Sequence, residues 1–127
     1  MNYPAVLVIR ALWELLYFDL INTLLGFRHV YRKVERQRAV WRPVDPAMEA
    51  VICDAVALAA CFYWKRVYCL QRSAVAVRLL RRSGIHASLV IGYRPSPFFS
   101  HAWVEVGGRV VNDSPAYKER MHVLCTL

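Results

Sequence analysis

The chain has 127 residues, 57% of them hydrophobic and 20% charged, with a formal net charge of +8. That length suits one domain, and the apolar content excludes a disordered chain because there is ample material for a core. The positive charge, carried largely by arginine, favours an acidic peptide, protein or membrane face; no recognition motif accompanies the arginines, so nucleic acid is not expected as a partner.

From about residue 4 to 25, "YPAVLVIRALWELLYFDLINTLLGF" reads as a helix that stops at Gly26. It is long and apolar enough to suggest a membrane span, but Arg10, Glu14 and Asp19 interrupt it, and each is costly near a bilayer centre. Arg10 and Glu14 are four apart, placed to pair on one helical face. No small-residue cleavage site follows a short apolar run, so the segment does not read as a signal peptide. The expectation is an amphipathic helix packed on the domain, with membrane attachment as the alternative. The polar, basic stretch that follows, "FRHVYRKVERQR" and on to Arg42, keeps association with a membrane surface or a partner open.

"RPVDP" then breaks the chain, with Asp45 as helix cap and Pro46 at the first helical position. The helix that follows, "AMEAVICDAVALAACFYW", is apolar on almost every face and is expected to be deeply buried. It ends near "KRVY", where Trp64 and Tyr68 read as packing residues. The next helix opens at or just before Cys69 and stops at Gly84, with Arg81 and Arg82 in its last turn. On its wheel, Ser73, Ala76, Val77 and Leu80 surround the face of Cys69. Gln71, Arg78, Arg81 and Arg82 point away and are expected in solvent. Arg72 falls on a mostly apolar face and needs a carboxylate or carbonyl partner, which favours a structural ion pair over a substrate contact.

Beyond Gly84 the period changes from helical to alternating. "HASLVIGYR", "FFSHAWVEV" and "RVVND" read as three strands, joined by a "PSP" link and a Gly107-Gly108 turn. Helices followed by an antiparallel sheet mean α+β. The expected organisation is a single domain, 1–127, with a helix and basic segment over 1–42 and a core over 43–127. The four cysteines, Cys53, Cys61, Cys69 and Cys125, form no C-x-x-C pair, so no metal site is expected. The thiols read as reduced and the protein as cytoplasmic, with Cys53, Cys61 and Cys125 as core or near-surface residues.

Cys69 stands apart because the unpaired N–H groups and dipole of a helix start favour its thiolate. His101 and Asp113 join it if the hairpin has the right register. A three-residue Val106-Gly107-Gly108 loop puts Glu105 opposite Arg109, Trp103 opposite Val111, and His101 opposite Asp113. A two-residue Gly-Gly loop instead puts His101 and Asp113 on opposite faces, so the catalytic reading requires the bulged loop. In that geometry Asp113 orients His101, and His101 takes the proton of Cys69, a cysteine version of the catalytic triad. Asn112 is a rival for the third role but faces the other way. His29, His86 and His122 have no companion acids and read as incidental.

The stretch "CLQRSAVAVRLLRRSGIHASLVIGYRPSPFFSHAWVEVGGRVVND" resembles the transglutaminase-like cysteine peptidases that remove leader peptides from lasso peptide precursors. The resemblance implies a transglutaminase or papain-like core, with the family's cysteine, histidine and aspartate falling on Cys69, His101 and Asp113. It implies cleavage of a precursor peptide through a thioester on Cys69, without a cofactor. It also implies a separate leader-recognition protein, since only about forty residues precede the "RPVDP" break, and an asparagine-synthetase-like lasso cyclase that uses the freed amine. The N-terminal helix and basic segment are the expected docking surface for the leader-recognition protein. Two alternatives stay open: acyl transfer to an amine, and a non-catalytic adaptor that binds a peptide or membrane.

Overall fold

The computed structural model describes residues 3–39 and 46–127. Helices α1 (Tyr3–Leu25), α2 (Phe27–Arg36), α3 (Pro46–Phe62) and α4 (Cys69–Arg82) come first. Strands β1 (Ala87–Pro95), β2 (Phe98–Val106) and β3 (Arg109–Val110) follow, then α5 (Ala116–Arg120) and β4 (His122–Thr126). The strands form one antiparallel sheet in the order β3-β2-β1-β4. The expected α+β class is borne out. The "RPVDP" break and the Asp45 cap lie outside the described residues, while Pro46 does open α3.

Small side chains in the middle of α4, "SAVAVRLLR", let other elements approach it from two sides. Ala74, Val75, Ala76, Val77 and Leu80 are all fully buried. On one side lies the sheet, through Ala87, Leu89, Ala102 and Val104; on the other lie α1 and α3, through Ala11, Leu15, Phe18, Ile52 and Val56. A second, smaller core forms on the opposite face of the sheet, where Val90, Trp103 and Met121 meet Val110 and Tyr117.

This two-sided burial overturns the expectation that Gln71, Arg78, Arg81 and Arg82 are solvated. Arg81 is 8% exposed. Its guanidinium donates to the main-chain oxygens of Gln37 at 2.9 Å, Ala87 at 3.0 Å, Leu127 at 2.9 Å and also Val34. One buried cation thus satisfies the end of α2, the start of β1 and the chain end beside β4. Gln71 is also buried, accepting the N–H of Tyr68 and donating to Asp19.

Helix α1 packs on the domain through Ala11, Leu15 and Phe18, but it is not cleanly amphipathic. Glu14 and Asp19 face inward, while Val6, Ile9, Trp13 and Leu24 face outward. Glu14 reaches Arg78 at 2.8 Å and Arg82 at 3.2 Å on α4 rather than Arg10 on its own helix. Burial opposes ionisation of Asp19, but Lys65, Tyr63 and Gln71 together outweigh it and hold the carboxyl below its ordinary value. No helix among the described residues is long and apolar enough to cross a membrane. Helix α3 likewise departs from the expectation of burial on all sides: Ile52, Val56 and Ala59 are buried, but Leu58 and Phe62 are exposed.

The basic stretch after Gly26 forms α2. Gly26 takes a φ of 88°, a left-handed conformation that separates the two helices. Val30 and Val34, four apart, are fully buried and dock α2, leaving Arg28, Arg32, Lys33 and Arg36 outside. Helix α5 and strand β4 were also not anticipated from the sequence.

Replacing Arg81 by alanine strands several buried carbonyls at once and is expected to cost about 3 kcal/mol or more. Chemical denaturation should show a lowered midpoint with an unchanged slope, and Arg81→Lys should recover only part of the loss because it cannot span four acceptors.

Candidate active site

The turn between β2 and β3 is a two-residue loop, not the bulged loop the catalytic reading required. Val106 pairs with Arg109 and Glu105 with Val110. Gly107 and Gly108 have φ of 59° and 76°, the doubly left-handed turn whose twist suits two adjoining strands. The Glu105–Arg109 pairing is therefore absent. Glu105 instead accepts from the Trp103 indole at 2.8 Å and from Lys118 at 3.2 Å, and Arg109 makes a bidentate pair with Glu49 at 2.7 and 3.0 Å.

His101 and Asp113 nevertheless meet, with His101 Nε2 2.8 Å from Asp113 Oδ2. They do so because β3 ends early. Val111 still donates to Val104 O at 3.0 Å, but the Val104 N–H is taken by Asn112 Oδ1 at 2.8 Å. A continuing strand would have offered the Val111 carbonyl there. With the side chain of Asn112 substituting for backbone, the chain bends at 112–113 and swings Asp113 toward the imidazole. Asn112 Nδ2 also donates to Ser73 Oγ at 3.0 Å, and Ser73 donates to Ala102 O at 3.2 Å. As expected, Asn112 is not the partner of His101; its role is to end the strand.

Asp113 is held from three directions. Its Oδ2 accepts from His101 and from Arg72 Nη2 at 3.2 Å, and its Oδ1 accepts from the Ser114 N–H at 2.8 Å. The carboxylate partner that Arg72 required is thus Asp113 itself. The His101 side chain is 10% exposed and that of Asp113 19%. Alternation along β2 puts Ala102 and Val104 on the α4 side and His101 beside Trp103 on the other. The pair therefore sits at the sheet edge where β3 stops, and Arg72 reaches it from α4.

Aromatic rings confine the imidazole. Tyr117 on α5 stacks on it at 4.0 Å between centroids with planes 27° apart, while Phe99 and Trp103 lie at 6.0 and 6.3 Å. Sequence reasoning missed Tyr117, since nothing in a five-residue helix after the last anticipated strand marks it. Gly92 pairs with His101 across β1 and β2, and its missing side chain makes room for Trp103. A Cβ there would meet Trp103 Cη2 at 2.6 Å and Cζ3 at 2.8 Å.

Cys69 is the first residue of α4, half-buried and packed against the main core. Arg72 and Ser73, one turn further on, bind Asp113 and the carbonyl next to His101. The sulfur itself makes no hydrogen bond among the described residues. The other thiols differ from it. Burial pushes Cys53 up to about 12, helped by Glu49 and Asp54, so it stays protonated. Cys61 is exposed, and Cys125 lies against the Tyr31 hydroxyl. Trp64 and Tyr68, expected to pack, are 76% and 63% exposed near the start of α4. Among the described residues no group of His, Cys, Asp and Glu is set to hold a metal ion.

A family model described as the transglutaminase-like superfamily matches residues 12–126. Over 59 residues the chain is 46% identical to the microcin J25-processing protein McjB of Escherichia coli, a stretch covering 46% of this chain and 28% of that protein. No solved structure matches.

Because the site depends on the close approach of Trp103 to Gly92, Gly92→Ala should overpack the sheet by about 1–3 kcal/mol. The expected signs are a lower unfolding midpoint and a changed tryptophan emission; an unchanged midpoint would contradict the packing described.

Proposed function

The chain belongs to the transglutaminase-like superfamily, and on that premise we propose that it is a cysteine endopeptidase that removes the leader from a lasso peptide precursor. The observation that carries the reading is the 2.8 Å bond between His101 Nε2 and Asp113 Oδ2. The similarity to a protein named for processing microcin J25 points to the same substrate class.

In this reading the neutral imidazole donates its Nε2 proton to Asp113, which leaves Nδ1 as an acceptor. Nδ1 takes the proton of Cys69, and the thiolate attacks the carbonyl at the junction of leader and core. Free N–H groups in the first turn of α4 stabilise the oxyanion that forms. As the tetrahedral species collapses, the carbon–nitrogen bond breaks and the imidazolium protonates the departing amine, the new amino terminus of the core. The leader remains on Cys69 as a thioester. Water, deprotonated by His101, then releases the leader acid and restores the thiol. Contacts between nucleophile and base are often long in a resting enzyme and tighten with substrate, which suits a sulfur that has yet to bond the ring. Asp113 holds the charge and tautomer, and the Tyr117 ring holds the plane.

The whole chain is read as one peptidase domain working in the cytoplasm, where the thiol stays reduced. It acts with a separate leader-recognition protein, and an asparagine-synthetase-like cyclase consumes the new amine. The outward apolar residues of α1 and α3, among them Ile9, Trp13 and Phe62, are the proposed docking face for the leader-recognition protein. Since α1 also buries Ala11, Leu15 and Phe18, deleting it would disturb the core, so a surface charge is the cleaner probe.

Precursor incubated with the leader-recognition protein and this chain should lose its leader, as read by mass spectrometry. Cys69→Ala and His101→Ala should abolish release, and Asp113→Asn should lower kcat by about 100-fold or more. Amine incorporation in place of hydrolysis would identify a transferase, and release by Cys69→Ala would end the cysteine mechanism. For the docking face, Trp13→Asp should weaken co-purification with the leader-recognition protein about tenfold or more while leaving the unfolding midpoint near wild type.

A further inference from the structure

We propose that the cavity between Arg94 and Arg120, behind the rings that hold His101, is a subsite for an acidic side chain of the peptide substrate. The inference rests on the peptidase reading and names a feature that the substrate would carry.

The cavity has a volume of about 260 Å³ and is lined by Arg94, Phe99, Ser114, Tyr117, Arg120 and Met121, among others. It shares two walls with the His101–Asp113 pair. Tyr117 stacks directly on the imidazole, and Phe99 lies within stacking distance of both rings. A group seated there therefore adjoins two of the rings that hold the proposed base. The volume falls below the roughly 300–1,000 Å³ of drug-sized sites, which suits a single side chain.

Its charge selects the kind of side chain. No carboxylate lines the cavity. Elsewhere four arginines have acids, Arg72 with Asp113, Arg78 and Arg82 with Glu14, and Arg109 with Glu49, while the buried Arg81 is met by main-chain oxygens. Arg94 and Arg120 have no ion pair among the described residues. Arg94 is nonetheless positioned: its Nε donates to Pro97 O at 3.2 Å and its guanidinium lies over the Phe99 ring at 5.6 Å. The residue is exposed, and its terminal nitrogens make no hydrogen bond among the described residues, so they are open to a ligand. Apolar walls of Phe99, Tyr117 and Met121 with cations at the rim fit a carboxylate on a short aliphatic stem, such as glutamate. A lysine would be repelled, and a glutamine would lose the charge-assisted part of the contact.

Precursors carrying Glu, Gln or Lys in turn at each of three positions on either side of the cut test this, with the leader-recognition protein present. Wild type should prefer Glu over Gln at one position by roughly tenfold or more in kcat/KM. The double variant R94Q/R120Q should bring that ratio near one, and Arg120→Glu should turn the preference toward Lys. A ratio near one at every position in wild type, or a Glu preference that survives in the double variant, would overturn the subsite. Binding is read separately by NMR titration of the protein with acetyl-glutamate methylamide and its glutamine counterpart. Selective shifts at Arg94, Phe99 and Arg120 with the glutamate compound support the subsite even if no precursor is cut, an outcome that would count against the peptidase reading alone. Identical responses to both compounds would count against the subsite alone.

Discussion

The third strand is only two residues long, and the side chain that ends it controls the site. Asn112 takes the Val104 N–H that a longer strand would have bonded through its backbone. A side-chain amide can fill that place only if the main chain turns away, and the turn carries Asp113 to His101. The same amide reaches Ser73 on α4, so the strand end is fixed relative to the helix as well as the sheet. Strand pairing alone would have separated histidine and aspartate. A local substitution of side chain for backbone joins them.

Around this edge the molecule is organised by helix α4. Most small helices bury one face and offer the other to water; this one is covered by the sheet on one side and by α1, α2 and α3 on the other. Covering the second side traps cations, and the fold answers with Glu14 for Arg78 and Arg82 and with main-chain carbonyls for Arg81. The inward acids of α1 follow directly. Glu14 faces inward to meet those arginines and Asp19 to meet Lys65, Tyr63 and Gln71, beside the buried Ala11, Leu15 and Phe18, while Val6, Ile9, Trp13 and Leu24 are left on the outside. The buried face of α1 is thus selected by charge as much as by hydrophobicity, since inward burial of Glu14 without the arginines would be prohibitive.

Much of this was legible in the sequence where a single period dominates. Gly84 marks the end of α4 and the change to strands, and the run from Phe98 to Val106 was read with its true bounds. The α+β class follows from those elements, and the family from the resemblance carried by the stretch from Cys69 to Asp113 and the match over residues 12–126. Legibility failed where a residue's neighbour is distant in sequence. Arg81 reads as a solvated residue on a wheel because the wheel knows nothing of Val34, Gln37 and Leu127. The turn escapes a local reading because Glu105 opposite Arg109 is a favourable pair, yet each finds a different partner elsewhere. The His101–Asp113 contact was anticipated through the wrong register, and the right residues met by another route. Helix α2 was readable and missed: Val30 and Val34 carry the helical spacing, but the surrounding cations obscured it.

One oxygen of Asp113 accepts from both Arg72 and His101. Helix and sheet are therefore chemically joined at a single atom, and the two donors compete for its lone pairs. Any change in the seating of α4 would move the guanidinium with it and reach the imidazole through that shared acceptor. Cys69 rides on the same helix, three residues before Arg72. In the proposed mechanism the seating of one helix therefore sets both where the sulfur lies and which donor the Asp113 oxygen shares with the ring.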